Sequence, residues 1–282
     1  MNNLKTFLLM GVMTFLLMLI GNLIGGSQGV YFAFIFAAFT NFISYWFSDK
    51  IVLSMYRAKP VSEDSDVYRI VKNLTARAEM PMPKVYIINE SQPNAFATGR
   101  NPKHAAVAVT TGLLDIMNNN ELAGVIGHEL GHIKHRDILI GTIAATFAGA
   151  IAFLANMAKW TAIFGRNNDR DEEGENPIAL LAIAIFAPIA AMLVQMCVSR
   201  TREYKADAFG GQISGNPLYL ANALRKLEAG VRRNYMDTNP AMENMFIVSP
   251  LSGDKIASLF STHPSTQDRI KKLEEMAERG TL

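Results

Sequence analysis

The sequence predicts an α+β unit, assembled from two separate soluble segments and joined to a membrane region of four helices. Three observations lead there. Four long runs hold no charged residue: Thr6 to Ser27, Val30 to Phe47, Ile138 to Ala158 and Ile178 to Ser199. Lysine and arginine gather at one set of run ends. The stretches outside the runs carry the spacing of short strands and amphipathic helices. Composition agrees: 50% of the 282 residues are hydrophobic and 18% are charged, against about a quarter charged in a soluble chain. This excludes an ordinary soluble enzyme, and the apolar content excludes low-complexity disorder. Cys197 stands alone, which excludes a disulfide-stapled secreted domain. A net charge of +2 gives no reason to expect nucleic acid.

Crossing a bilayer core takes about 20 apolar residues, and each run is long enough. The first, with its core at Phe7 to Ile20, also has the size of a signal peptide. A second run follows almost at once, however, with no clean cleavage site between them. The pair reads as a helical hairpin turning at Gly25 to Gly29. With the N-terminus inside, the inner flanks carry Lys5, Lys50, Arg57, Lys59, Lys134, Arg136, Arg200, Arg202 and Lys205. The outer loop carries Lys159, Arg166 and Arg170 among acidic residues. That asymmetry places both termini on the cytoplasmic side. Trp46 and Trp160 stand at run ends, where amphipathic rings prefer the interface. Pro177 suits the first turn of the fourth helix and Pro188 should kink it. The expected division is 1–48 for transmembrane helices 1 and 2, and 49–137 for the first part of the cytoplasmic domain. Residues 138–199 then form transmembrane helices 3 and 4 with an acidic loop, and 200–282 the second part, on the same face as the first.

In the first soluble segment, Val67, Ile70, Val71 and Leu74 recur at helical spacing after Glu63, Asp64 and Asp66, and Pro81 and Pro83 end that helix. Acidic residues suit a helix N-terminus. Strands are expected at Val85 to Ile88, Asn94 to Thr98 and His104 to Val109. Asn118 to Asn120 offer caps for a helix from Glu121 to about Arg136. In the second segment, Asn216-Pro217 opens a helix through Leu227 that Gly230 should stop. Ser265 and Asp268 cap a last helix to Ala277.

The chemistry lies in Gly127-His128-Glu129-Leu130-Gly131-His132. Residues four apart on a helix share a face, about 6 Å along the axis, so two imidazoles can meet one metal ion with Glu129 between them. This is H-E-x-x-H on a helix, the zinc-protease pattern. A catalytic zinc takes three protein ligands and leaves a position for water. His135 lies about 10 Å along the axis from His128, too far for the same ion. Glu203, just past the fourth run, is the better third candidate, one zinc per chain. The other reading of Glu203 is a juxtamembrane charge paired with Arg200 or Arg202. Asp207, one turn on, could accept the second ring N–H of His128. Glu129 is the expected general base. His263 is a candidate donor to the oxyanion, or simply a turn residue. Asn94, Ala95 and Phe96 could present an edge strand to an extended substrate, with Phe96 lining a side-chain pocket or the core. No phosphate-binding loop occurs, so no nucleotide is expected. The site should lie near the membrane surface, and its substrates should be membrane proteins with loosened segments. The rival is a catalytically silent zinc-binding scaffold, to which Glu129 would be of no use.

Asn94-Ala-Phe-Ala-Thr-Gly99, Gly127-His-Glu-Leu-Gly-His-Ile-Lys-His135, Arg202-Glu-Tyr-Lys-Ala-Asp207 and Thr262-His-Pro264 occur in this order among the four runs. Together they resemble the HtpX family of bacterial membrane zinc endopeptidases, along essentially the whole chain. The resemblance implies a zincin-type metalloprotease domain on the cytoplasmic face of the inner membrane. It implies His128, His132 and Glu203 as zinc ligands and Glu129 as the catalytic glutamate. It also implies heat-shock-linked degradation of damaged or misfolded membrane proteins.

Overall fold

The computed structural model describes residues 2–143, 200–233, 247 and 264–280. The third run beyond Thr142-Ile143, the whole fourth run, the acidic loop and His263 lie outside the described residues.

Hydrogen bonding is helical through α1, Asn2–Met55. Yet Asn41 Nδ2 donates to Thr14 Oγ1 at 2.9 Å, across 27 positions of chain. On a straight helix that separation would be about 40 Å, so the chain reverses between them. Gly26, at φ +55°, lies near the midpoint, where a side chain would be strained. Among the described residues one stretch, Gly26–Phe47 with 22 residues, is long and apolar enough to cross a membrane, whereas the apolar helix Thr6–Leu19 is shorter. Tyr31, Phe32, Ile35, Phe36 and Phe39 on the longer stretch are exposed.

A four-stranded sheet follows, in the order β1-β2-β4-β3. Its strands are β1 (Lys59–Pro60), β2 (Lys84–Ile88), β3 (Ala95–Gly99) and β4 (Ala105–Thr110). β2 and β4 run parallel, and β1 and β3 are antiparallel to their neighbours. β4 is central and buried throughout, as an unbroken apolar run requires. Its side chains alternate between two cores. Val107 and Val109 face a large one with Val125, Ile126, Leu130, Leu220, Leu224 and Leu273. Ala106 and Ala108 face a smaller one with Val52, Leu53, Ile88 and Phe96. Because Val52 and Leu53 belong to α1, the end of this apolar helix is built into the back of the sheet.

The large core is made by α2 (Asp66–Arg77), α4 (Asn119–Lys134), α6 (Pro217–Arg233) and α7 (Thr266–Glu278). Among the described residues, the short α3 (Thr111–Ile116) and α5 (Arg200–Ser214) are further α-helices. β1 and α3 are too short to leave a periodic signal. α4 starts two residues before the expected Glu121, because Asn118 is the cap itself. Its Oδ1 accepts from the Asn120 and Glu121 N–H groups, and its own N–H donates to Glu121 Oε2, a reciprocal capping box. α6 continues past Gly230 to Arg233. A glycine costs a helix only about 1 kcal/mol, and the amphipathic face of α6 outweighs that.

Candidate metal centre

α4 and α5 cross with their backbones almost touching, and this crossing builds the site. A Cβ on Gly127 would meet Gly210 Cα at 3.0 Å, and one on Gly131 would meet Ala206 Cα at 2.9 Å. Only small residues permit that approach. Seven residues before Gly210, Glu203 is thereby delivered to the face of α4 that carries His128 and His132. Ligand atoms of the three residues lie within 4.8 Å of one another.

The distances suit one small cation. His128 Nε2 and His132 Nε2 are 3.1 Å apart. Glu203 Oε1 is 3.5 Å from His132 Nε2, and Oε2 is 3.7 Å from His128 Nε2. Ligands about 2.0–2.1 Å from a tetrahedral zinc stand about 3.3 Å from one another. Two imidazole nitrogens and a carboxylate oxygen are also a donor set that zinc accepts. Charge agrees as well. The carboxylates of Glu129, Glu203, Asp207 and Asp137 face the guanidinium groups of Arg269 and Arg202. With both imidazoles neutral, as metal ligands must be, four carboxylates against two guanidinium groups complement a divalent cation.

Each histidine is oriented from behind. His128 Nδ1 lies 2.8 Å from Asp207 Oδ1, which fixes the proton there and leaves the Nε2 lone pair facing the site. His132 Nδ1 lies 3.4 Å from Asp137 Oδ2. Asp207 is itself gripped by Arg269, whose Nε and Nη2 donate to its two oxygens at 2.8 and 2.7 Å. Arg269 Nη1 donates to Ile247 O at 2.7 Å. Burial would raise the Asp207 pKa, but Arg269 outweighs it and holds the carboxyl at about 2. Burial opposes protonation of His132, yet Glu203, Asp137 and Glu129 prevail and push it up to about 9 without a cation. Glu129 is 6% exposed. Burial pushes its carboxyl up, with Glu203 adding to this. The two imidazoles and a hydrogen bond from the Ala97 N–H pull the other way.

The other residues singled out from sequence lie as follows. His135 caps the end of α4 and stacks edge-on against Phe209 at 5.8 Å, away from the pair. Asn94 is buried, and its Oδ1 accepts from the Ile247 N–H. Ala95 stands on β3, the sheet edge beside α4. Phe96 turns to the far face, where its ring meets Tyr56 at 5.2 Å, so its side chain packs the smaller core, on the side of the sheet away from α4.

Sequence reasoning missed Asp137 and Arg269. Each left a trace: Asp137 is a charge at the very mouth of an apolar run, and Arg269 occupies the stripe of α7 that buries Ile270 and Leu273.

A helix bearing His-Glu-x-x-His, a carboxylate brought to it by a second helix and a sheet edge alongside define a metallopeptidase centre of the zincin type. The comparisons agree. Residues 61–277 match the model of Peptidase family M48. A protein named Protease HtpX homolog from Desulfatibacillum aliphaticivorans is 58% identical over 96% of this chain and 89% of its own. Another from Syntrophotalea carbinolica is 56% identical over 98% and 99%. Protease HtpX from Legionella pneumophila (strain Lens) is 52% identical over 98% and 99%. The chain belongs to the HtpX family within peptidase family M48, and is a metalloprotease. Its fold is like that in the crystal structure of S. mikatae Ste24p, with a TM-score of 0.52 at 16% identity over 96% of this chain. The chain spans only 64% of that protein.

Proposed function

We propose that the chain is a membrane-embedded zinc endopeptidase that hydrolyses peptide bonds in loosened segments of misfolded or damaged membrane proteins at the cytoplasmic face. One observation carries the reading: His128, His132 and Glu203 converge within 4.8 Å beside the buried carboxylate of Glu129. Those three side chains would hold the zinc, which when bound supplies a Lewis acid for the scissile carbonyl and acidifies the attacking water.

The remaining work falls to the chain. Glu129 accepts a proton from the water and passes it to the leaving amine, a task suited to a carboxyl whose affinity for protons burial has raised. Asp207 and Asp137 hold the two imidazoles in place, with Arg269 bracing Asp207. The edge that runs through Asn94, Ala95, Phe96 and Ala97, with the backbone groups of Ala95 and Ala97 turned outward, aligns an extended substrate by adding a strand. His263 is the proposed oxyanion donor.

The proposed setting is the bacterial inner membrane, with four spans and both termini in the cytoplasm. It is supported by the apolar stretch Gly26–Phe47 and by the bias of basic residues to one set of run ends. Arg100 supports the docking of this domain at the interface, since it stacks on the Trp46 ring at 4.5 Å and donates to Trp46 O.

The test compares full-length wild type with Glu129→Gln, both zinc-loaded, on casein or a membrane-protein substrate. Equal zinc content with cleavage lost in the variant is expected. Cleavage retained by Glu129→Gln discards the mechanism.

A further inference from the structure

Among the described residues no further strand covers the outer edge of β3, yet that edge is already partly occupied. Thr110 N–H donates to Asn94 O at 2.9 Å. In an antiparallel ladder the inward and outward backbone groups alternate. Asn94, Phe96 and Thr98 therefore face β4, while Ala95, Ala97 and Gly99 face outward. Two of those outward donors have acceptors within the chain. The Ala97 N–H meets the Glu129 carboxylate, and the Gly99 N–H donates to Thr142 Oγ1 at 3.4 Å.

Thr142 is well fixed. It is 2% exposed, its hydroxyl donates to Ile138 O at 2.7 Å, and its oxygen stands 3.0 Å from Thr98 Oγ1. One hydroxyl donates once and accepts twice, and here all three places are filled. The helix entering the third apolar run is thus bolted to the sheet edge one ladder step beyond Ala97.

We propose that Thr142 is a specificity-determining stop, which ends substrate strand pairing at the Ala97 carbonyl, the Ala97 N–H being held by Glu129, and so limits how far the enzyme reads one side of the scissile bond. The proposal rests on the endopeptidase reading and deepens it. Antiparallel pairing is the more stable kind, and it directs the acyl side of the substrate toward Gly99. Glu129 touches Ala97, so the scissile bond lies level with that residue. A ladder step of two residues spans about 7 Å. About two acyl-side residues therefore fit before the strand meets Thr142, and residues farther upstream gain no backbone partner.

The test is a peptide series with a fixed cleavage site, lengthened one residue at a time at its amino end. It is cleaved by full-length, zinc-loaded wild type, Thr142→Ala and Thr142→Ser, and products are identified by mass. In wild type, kcat/KM rises for about two upstream residues and is then flat. Thr142→Ala frees the Gly99 N–H, and the longer peptides gain about three- to tenfold, the size of one net backbone hydrogen bond. The shorter peptides gain nothing. Thr142→Ser, which keeps the hydroxyl, follows wild type. A wild-type rate that keeps rising with the third and fourth upstream residues overturns the stop, as does a folded, active Thr142→Ala with the wild-type profile. Should Thr142→Ala fail to fold, the wild-type and Thr142→Ser profiles decide alone. A wild type that binds zinc and cleaves no peptide overturns the endopeptidase reading, and the stop falls with it.

Discussion

Replacing Gly210 by alanine tests the crossing that assembles the site. An added Cβ would lie 2.6 Å from His128 N and 2.9 Å from Gly127 C, where ordinary contact begins at 3.4 Å. Both atoms are backbone, so neither can swing aside. The helices must part by about 0.8 Å at this point. Glu203 rides on the same helix and moves with it, whereas a metal site tolerates shifts of only about 0.2 Å. Two effects oppose each other in stability. Alanine gains about 1 kcal/mol in helix propensity, and overpacking costs about 1–3 kcal/mol. The clash is with main chain, so the cost should win. Zinc affinity should fall by at least the ~10–100-fold seen for outer-shell changes. The assay is competition with a zinc chelator on full-length protein, with thermal unfolding alongside. Gly141→Ala serves as control, since among the described residues nothing lies within 4 Å of its added Cβ. Wild-type affinity with an unchanged or higher Tm for Gly210→Ala would refute the argument.

Three further outcomes follow from His132 and from the groups behind the metal site. Arg269→Met leaves Asp207 buried without its guanidinium, which should cost about 3–5 kcal/mol and lower zinc affinity about 10–100-fold; chemical denaturation and chelator competition measure the two. Without metal, His132 titrates at about 9 rather than its ordinary 6.5. Its contribution to folding is therefore fully present below pH 6.5 and lost as pH rises through about 9. Zinc must displace that proton, so affinity should climb with pH over the same window, and calorimetric titrations across it give both curves. Asp207 runs the other way. Its carboxyl is held at about 2 against an ordinary 3.8, so about 2 kcal/mol of stability is present above pH 4 and lost as pH falls through about 2.

Much of the site was legible because its chemistry is local. His128, Glu129 and His132 declare themselves by spacing on one helix, and Asn118 announces where that helix begins. From spacing alone Glu203 was legible only as a candidate, which the family resemblance then singled out, since spacing does not say which remote carboxylate returns to the pair. The reason that it returns lies in Gly127, Gly131 and Gly210, whose missing side chains draw α5 onto α4. Arg269 was harder still: an arginine in an apolar stripe makes sense only once Asp207 is seen opposite it. In the fold, the strands β2, β3 and β4 could be read from apolar runs between turns, but their order could not. β4 pairs with β3 as a local hairpin, and its parallel pairing with β2, across the whole of β3 in sequence, leaves β3 at the edge. Phe96 shows the same limit. Alternation along a strand says that neighbours face opposite ways and not which way the metal lies.

The most direct test of the account is X-ray absorption at the zinc edge of the full-length protein, beside Glu203→Gln. The account predicts one zinc per chain bound by two imidazole nitrogens and a carboxylate oxygen, with the carboxylate contribution gone and occupancy sharply reduced in the variant. Zinc retained in Glu203→Gln with an unchanged spectrum would contradict it.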